Sequence, residues 1–273
     1  MTQQPFLGDS CQPAQIARRI EDMGVAKARV DTPTLLVLAV LAGAFISLAA
    51  FLYTVVLTGS ELGFGPTRLL GGLSFCLGLV LVVIGGAELF TGNNLLAMAW
   101  ASRLIGGREV LRNWLLVYLG NVVGCLGTVL LVVWAGSAGL NDGAVGETTL
   151  KIARAKAELT LGAAFARGVL CNALVCLATW LAMAGRSVTD KILAILFPIT
   201  AFVALGFEHS IANWFFLPYG LVLDGQGALP LAGVAGNLLA VTAGNLVGGT
   251  LLVGGMYWLA YLRGGSGAQK RPS

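Results

Sequence analysis

Charge is scarce in this chain of 273 residues: 11% are Asp, Glu, Lys or Arg, while 57% are hydrophobic. So few charges cannot cover a soluble globule, and lipid must be the solvent for most of the chain. Histidine is rarer still, with His209 as its single instance. A bis-histidine haem needs two axial imidazoles and is excluded. Ser210 adjoins His209, but neighbouring residues on a helix point apart and no orienting nucleophile motif is present, so the chain does not read as an enzyme. The five cysteines lack metal-ligand or disulfide spacing; Cys76, Cys125, Cys171 and Cys176 lie in apolar runs and Cys11 in a polar leader. They read as reduced packing residues, and no metal or cofactor is expected. A net charge of +4, scattered along the chain, is too small for nucleic-acid binding. The first thirty or so residues have no apolar core and no small-residue cleavage site, so the first span is expected to do the targeting.

What the sequence has instead is hydrophobic length. Six apolar blocks run from Pro33 to Leu57, Leu69 to Trp100, Trp114 to Ala135, Leu159 to Ala184, Ile192 to Leu223 and Val234 to Leu262. Each can cross a hydrocarbon layer that needs about 20 helical residues. The second and fifth are longer than one crossing requires, and each carries a short polar signature: Gly86-Ala87-Glu88-Leu89-Phe90-Thr91-Gly92-Asn93 and Gly206-Phe207-Glu208-His209-Ser210-Ile211-Ala212-Asn213. A carboxylate and a glycine at membrane depth are costly unless the helix breaks there and lines a cavity, so both blocks are expected to be broken helices.

A second pair, Gly120-Asn121-Val122-Val123-Gly124 and Gly244-Asn245-Leu246-Val247-Gly248, recurs at nearly the same spacing. Three spans per half is odd, so duplication predicts two inverted three-helix repeats. Taken alone, these pairs, like Ser74 and Gly78, equally suit ordinary close helix packing. The fold class expected is an all-α polytopic membrane protein of six transmembrane helices. An Asn-Pro-Ala pair, the mark of the aquaporin family itself, is absent.

Lys and Arg set the orientation. Arg18, Arg19, Lys27 and Arg29, then Arg103, Arg108 and Arg112, then Arg186 and Lys191, and finally Arg263, Lys270 and Arg271 fall on one side. That side is expected to be cytoplasmic, with both termini. Arg68 and a loop holding Lys151, Arg154 and Lys156 fall on the other. The division expected is a cytoplasmic amphipathic segment over 1–32, a channel domain over 33–262 and a cytoplasmic tail over 263–273. In the leader, Pro13 opens a helix with Ile16, Ile20 and Met23 at helical spacing, read as a membrane-surface anchor or, more sharply, as a plug over the mouth.

The two signatures, the Gly-Asn pairs and Cys171-Asn172-Ala173-Leu174-Val175-Cys176-Leu177-Ala178 resemble the formate/nitrite transporter family over essentially all six spans, with formate channels the most similar branch. The resemblance implies an aquaporin-like protomer in a bacterial inner membrane, a homopentamer with a pore in each protomer, and passage of formate, nitrite or another small monovalent anion or its acid. It places Phe75, Leu79 and Phe202 at an outer constriction, Leu89, Phe90 and Val175 at an inner one, and Thr91 facing His209 between them. Lys156, Asn172, Glu208 and Asn213 match the polar positions around this centre.

Physical chemistry gives these residues tasks. A bare anion loses its hydration in a ring of Phe and Leu, whereas a neutral weak acid loses far less, so protonation in transit lowers the barrier. His209, with an ordinary pKa of about 6.5, is the side chain suited to pair with the anion or donate to it. Thr91 can hydrogen-bond the same oxygen, Lys156 can concentrate anions, and Glu208 can orient the imidazole or support the broken backbone. Glu88 can accept from backbone donors freed by its break. The structural alternatives are a packing histidine, aromatic filler and a Thr hydroxyl that satisfies backbone. Arg167, inside the fourth block, is expected to snorkel to headgroups or to face a protomer interface, with snorkelling preferred.

Overall fold

The computed structural model describes residues 11–225 and 227–263, and every regular element among them is helical. Residues 1–10 of the leader, and 264–273 of the tail with Lys270 and Arg271, lie outside the described residues.

Helix α1 (Pro13–Ala28) starts at its proline and buries Ile16, Ala17, Ile20, Gly24 and Ala28. That stripe packs on protein: Ile16 and Ile20 join Met98, Cys176 and Trp180, and Ala28 joins Leu96 and Ala99. The membrane-surface anchor is corrected accordingly, since the face meant for lipid is already covered. Next comes α2 (Thr32–Leu57), whose N-cap Asp31 accepts from Thr34 N and whose first turn holds Pro33.

Helix α3 (Phe64–Gly85) ends where Gly86 takes φ of 79°. After α4 (Phe90–Asn93) and α5 (Leu96–Ala101) the chain returns through α6 (Gly107–Trp134). Helix α7 (Ala144–Ala157) occupies the segment expected to be a loop around Lys151, Arg154 and Lys156, and buries Val145, Thr149, Ala153 and Ala157. Helix α8 (Leu161–Ala184) follows, then α9 (Val188–Ala204) and α10 (Ser210–Leu223), separated at Gly206 with φ of 74°. Helix α11 (Leu231–Val247) passes through a π-helical stretch, Gly248–Gly255, into α12 (Met256–Tyr261).

Five of these are long and apolar enough to cross a membrane: α2, α3, α6, α8 and the continuous run Leu231–Tyr261. The fifth block of the sequence is divided into α9 and α10, of 17 and 14 residues, and the second continues beyond α3 as the short α4 and α5.

Glycine lets the long helices cross backbone to backbone. A Cβ on Gly43 of α2 would strike the Asn121 carbonyl of α6, and one on Gly124 would strike the Val40 carbonyl. The crossing of α8 and α11 repeats this, with Gly244 against the Phe165 carbonyl and Gly248 against that of Val169. These contacts hold two asparagines, Asn121 and Asn245, against the breaks.

Candidate functional site

Both breaks are built alike. At the end of α3, Gly86 and Ala87 N–H donate to the Val82 carbonyl at 3.1 and 2.9 Å; at the end of α9, Gly206 N–H donates to Val203 at 3.1 Å and Phe207 N–H to Phe202 at 3.0 Å. A left-handed glycine closing a helix in this way satisfies its last carbonyls. The extended residues that follow are held by asparagine. Asn121 accepts from Phe90 N at 2.9 Å and donates to the Ala39 and Glu88 carbonyls at 2.7 and 2.9 Å. Asn245 accepts from Ser210 N at 2.8 Å and donates to the Gly168 and Glu208 carbonyls at 2.8 and 2.9 Å. Support of the broken backbone, expected of Glu88 or Glu208 side chains, is thus the work of these two asparagines, one in each Gly-Asn-x-x-Gly motif.

The glutamate side chains point elsewhere. Lys27 Nζ donates to the Glu88 oxygens at 2.8 and 2.9 Å and to Asn93 Oδ1 at 2.9 Å; Asn93 Nδ2 donates to Glu88 Oε2 at 2.7 Å and to Asn113 Oδ1 at 2.9 Å. Lys156 Nζ donates to both Glu208 oxygens at 3.0 Å, and Asn213 Nδ2 donates to Glu208 Oε2 and Asn237 Oδ1, each at 2.7 Å. Lys156 is therefore paired with Glu208 as well as lining the cavity described below. Among the described residues no hydrogen bond joins the Glu208 carboxylate to the imidazole. Lys27, Asn113 and Asn237 escaped sequence reasoning, although Lys27 and Lys156 each precede a break glutamate and Asn113 and Asn237 each precede a Gly-Asn pair.

His209 sits at the start of α10. Its Nδ1 accepts from Ala212 N at 3.1 Å as an N-cap, and its Nε2 lies 3.0 Å from Thr91 Oγ1. A neutral ring that accepts at Nδ1 carries its proton at Nε2, so Nε2–H donates to Thr91 and leaves the Thr91 hydroxyl proton free to donate onward. The imidazole stacks on Phe202 with ring centroids 6.0 Å apart, and Phe202 meets Phe75 edge to face at 5.6 Å. Leu79, one turn along α3 from Phe75, is buried in the same core.

A cavity of about 200 Å³ opens on the Lys156 side and is lined by Phe75, Phe202 and His209 together with Arg68, Lys156, Arg167 and Asn213. Arg167 is exposed and is one of the residues that line the cavity. Leu89, Phe90, Thr91 and Val175 do not line it and are nearly inaccessible, from 0 to 5% exposed. Beyond them Asn172 Nδ2 donates to the Thr91 and Asn245 carbonyls at 3.3 and 2.7 Å. The cavity reaches from Lys156 to His209, and Leu89, Phe90 and Val175 are packed outside its lining. All five cysteines are free and buried.

Residues 14–259 match the family described as formate/nitrite transporter. The chain is 40% identical to the formate channel FocA of Escherichia coli strain K12, covering 95% of this chain and 96% of that protein. It is 37% identical to a probable formate transporter of Methanothermobacter thermautotrophicus, covering 92% and 97% of the two chains. Among solved structures, a pentameric formate channel with formate bound superposes with a TM-score of 0.79 at 39% identity, covering 85% of this chain and 98% of the other. These relatives are channels and transporters of integral membrane type, none of them an enzyme. A glutamate-bearing break in each half, a cavity ending at a lone imidazole and relatives matched along nearly their whole length agree: the chain belongs to the formate/nitrite transporter family.

Proposed function

We propose that this protein carries formate across a bacterial inner membrane, as anion or weak acid, through a pore in each protomer of a homopentamer. The observation that carries the reading is the Thr91–His209 contact at 3.0 Å, at the inner end of the cavity beside Phe75 and Phe202. The Thr91 hydroxyl, whose oxygen accepts from Nε2–H, donates its own proton in a hydrogen bond to a carboxylate oxygen, and a hydronium ion from the cavity protonates the anion and leaves as water. The neutral acid then passes Leu89, Phe90 and Val175 at a far lower desolvation cost than the anion.

The architecture in this reading is aquaporin-like: six crossings in two inverted three-helix repeats, the fifth formed by α9 and α10. The like hydrogen bonds of Asn121 and Asn245 support that pairing of halves. The Lys156 side faces outward, both termini are cytoplasmic, and residues 33–262 form the channel domain between segments 1–32 and 263–273. Asn172, Asn213, Glu88, Glu208 and Lys156 are its polar framework.

The test is flux in proteoliposomes. Formate is expected to run down its gradient faster at mildly acidic pH, and His209→Asn, which keeps a capping side chain but does not reach Thr91, to lose that acid response while still assembling. An unchanged response would remove His209 from the mechanism. Nitrite, also a small bent anion, is the alternative cargo, ahead of hydrosulfide or a short carboxylate; movement of nitrite without formate in the same vesicles would reassign the substrate.

A further inference from the structure

Three cations line the cavity on the Lys156 side: Lys156, Arg68 and Arg167. Two of them are committed. Lys156 holds both oxygens of Glu208. Arg68 donates from Nε to the Ala204 carbonyl at 3.0 Å, from Nη2 to the Val203 carbonyl at 2.6 Å and from Nη1 to the Tyr53 hydroxyl at 3.0 Å, so it closes the end of α9. The Arg167 guanidinium is exposed and has no ion-pair or hydrogen-bond partner among the described residues.

A guanidinium in an apolar helix is costly and marks a water-filled path or a ligand. Here it lines a cavity of about 200 Å³, where a small anion fits with several waters. The same cavity is lined by Asn213, whose buried Oδ1 has no hydrogen-bond partner among the described residues. The corresponding atom of the other break, Asn93 Oδ1, is taken by Lys27.

We propose that Arg167 captures the anion at this mouth and determines its selectivity, its planar fork taking both oxygens of a small carboxylate before the anion reaches Phe75, Phe202 and His209. A paired N–H fork matches an O–C–O edge and not a spherical halide, so the site discriminates by shape as well as by charge. The inference rests on the transport reading above and extends it to a residue that reading does not use.

The experiment uses the full chain, with Arg167→Gln and Arg167→Lys checked for wild-type oligomer size. Binding of ¹³C-formate to detergent-solubilised protein is followed by NMR line broadening and competed with acetate or chloride, and formate uptake is measured from the Lys156 side in oriented proteoliposomes. Acetate is expected to displace formate at much lower concentration than chloride does in the wild type. In Arg167→Gln that preference disappears and the half-saturating formate concentration rises about tenfold, with Arg167→Lys in between. Unchanged binding and half-saturation in Arg167→Gln, or equal displacement by chloride and acetate in the wild type, overturns the proposal. Arg167-dependent binding by a wild-type protein that moves no formate would uphold the capture site and refute the transport reading.

Discussion

Lys27 Nζ and Lys156 Nζ each lie within 3.0 Å of both carboxylate oxygens of a break glutamate, Glu88 and Glu208 respectively. One lysine comes from α1 and the other from α7, so a helix outside the long spans clamps each break. The two clamps differ in one atom: Lys27 also reaches Asn93 Oδ1, while Lys156 leaves Asn213 Oδ1 unpartnered.

Removing one member of such a pair strands the other charge. Lys27→Met is expected to destabilise the protein by about 3 kcal/mol, and Lys27→Met with Glu88→Gln to recover most of that loss. Thermal unfolding in detergent reads both. Equal melting of the single and double variants would show that Glu88 does not depend on Lys27.

Asn121 and Asn245 each satisfy one backbone N–H and two carbonyls where the helices are interrupted. Alanine at either position leaves three buried groups unpaired, at about 1–3 kcal/mol each. Loss of assembled protein in size-exclusion chromatography is expected for both variants. Near-native yield and melting would mean that water replaces the amide.

Two glycines give a contrast on helix packing. Gly43→Ala drives a methyl into the Asn121 carbonyl and is expected to cost about 1–3 kcal/mol. Gly127, in α6, meets nothing within 4 Å, so Gly127→Ala is expected to raise the melting temperature slightly through helix propensity. The ordering of the two melting temperatures checks the crossing.

Asp31 precedes α2, outside the membrane span, and the Thr34 N–H at 3.0 Å holds its carboxyl below the usual carboxylate range. A folded value below the unfolded one contributes stability that is present above the unfolded pKa of about 3.9 and disappears as the pH falls through the folded value. Asp31→Ala is therefore expected to melt below the wild type at pH 7, with the gap closing on acidification. A gap constant with pH would rule out this cap as its source.

Much of the site was legible because its cost is legible. Gly86 with Glu88 and Gly206 with Glu208 stand out in hydrocarbon-length runs, so both breaks are written in the sequence. Helix α7 was not legible, since three of the four residues of its buried face, Thr149, Ala153 and Ala157 beside Val145, are small or polar and give little periodic contrast to the charges around them. The partners of the break glutamates were hidden for another reason: Lys27 and Glu88 meet only through the docking of α1, and no local spacing encodes that contact. The place of Arg167 on the cavity wall was hidden as well, because snorkelling and lining a cavity share one sequence pattern.

His209 spends one ring nitrogen on the Ala212 amide and the other on Thr91. An incoming proton therefore finds no vacant lone pair: to settle on Nδ1 it must evict that amide and unfasten the first turn of α10. In this protein the acid chemistry of the imidazole and the mechanical state of Ser210–Asn213 are tied to a single atom, so titration at the centre would register as movement of the backbone.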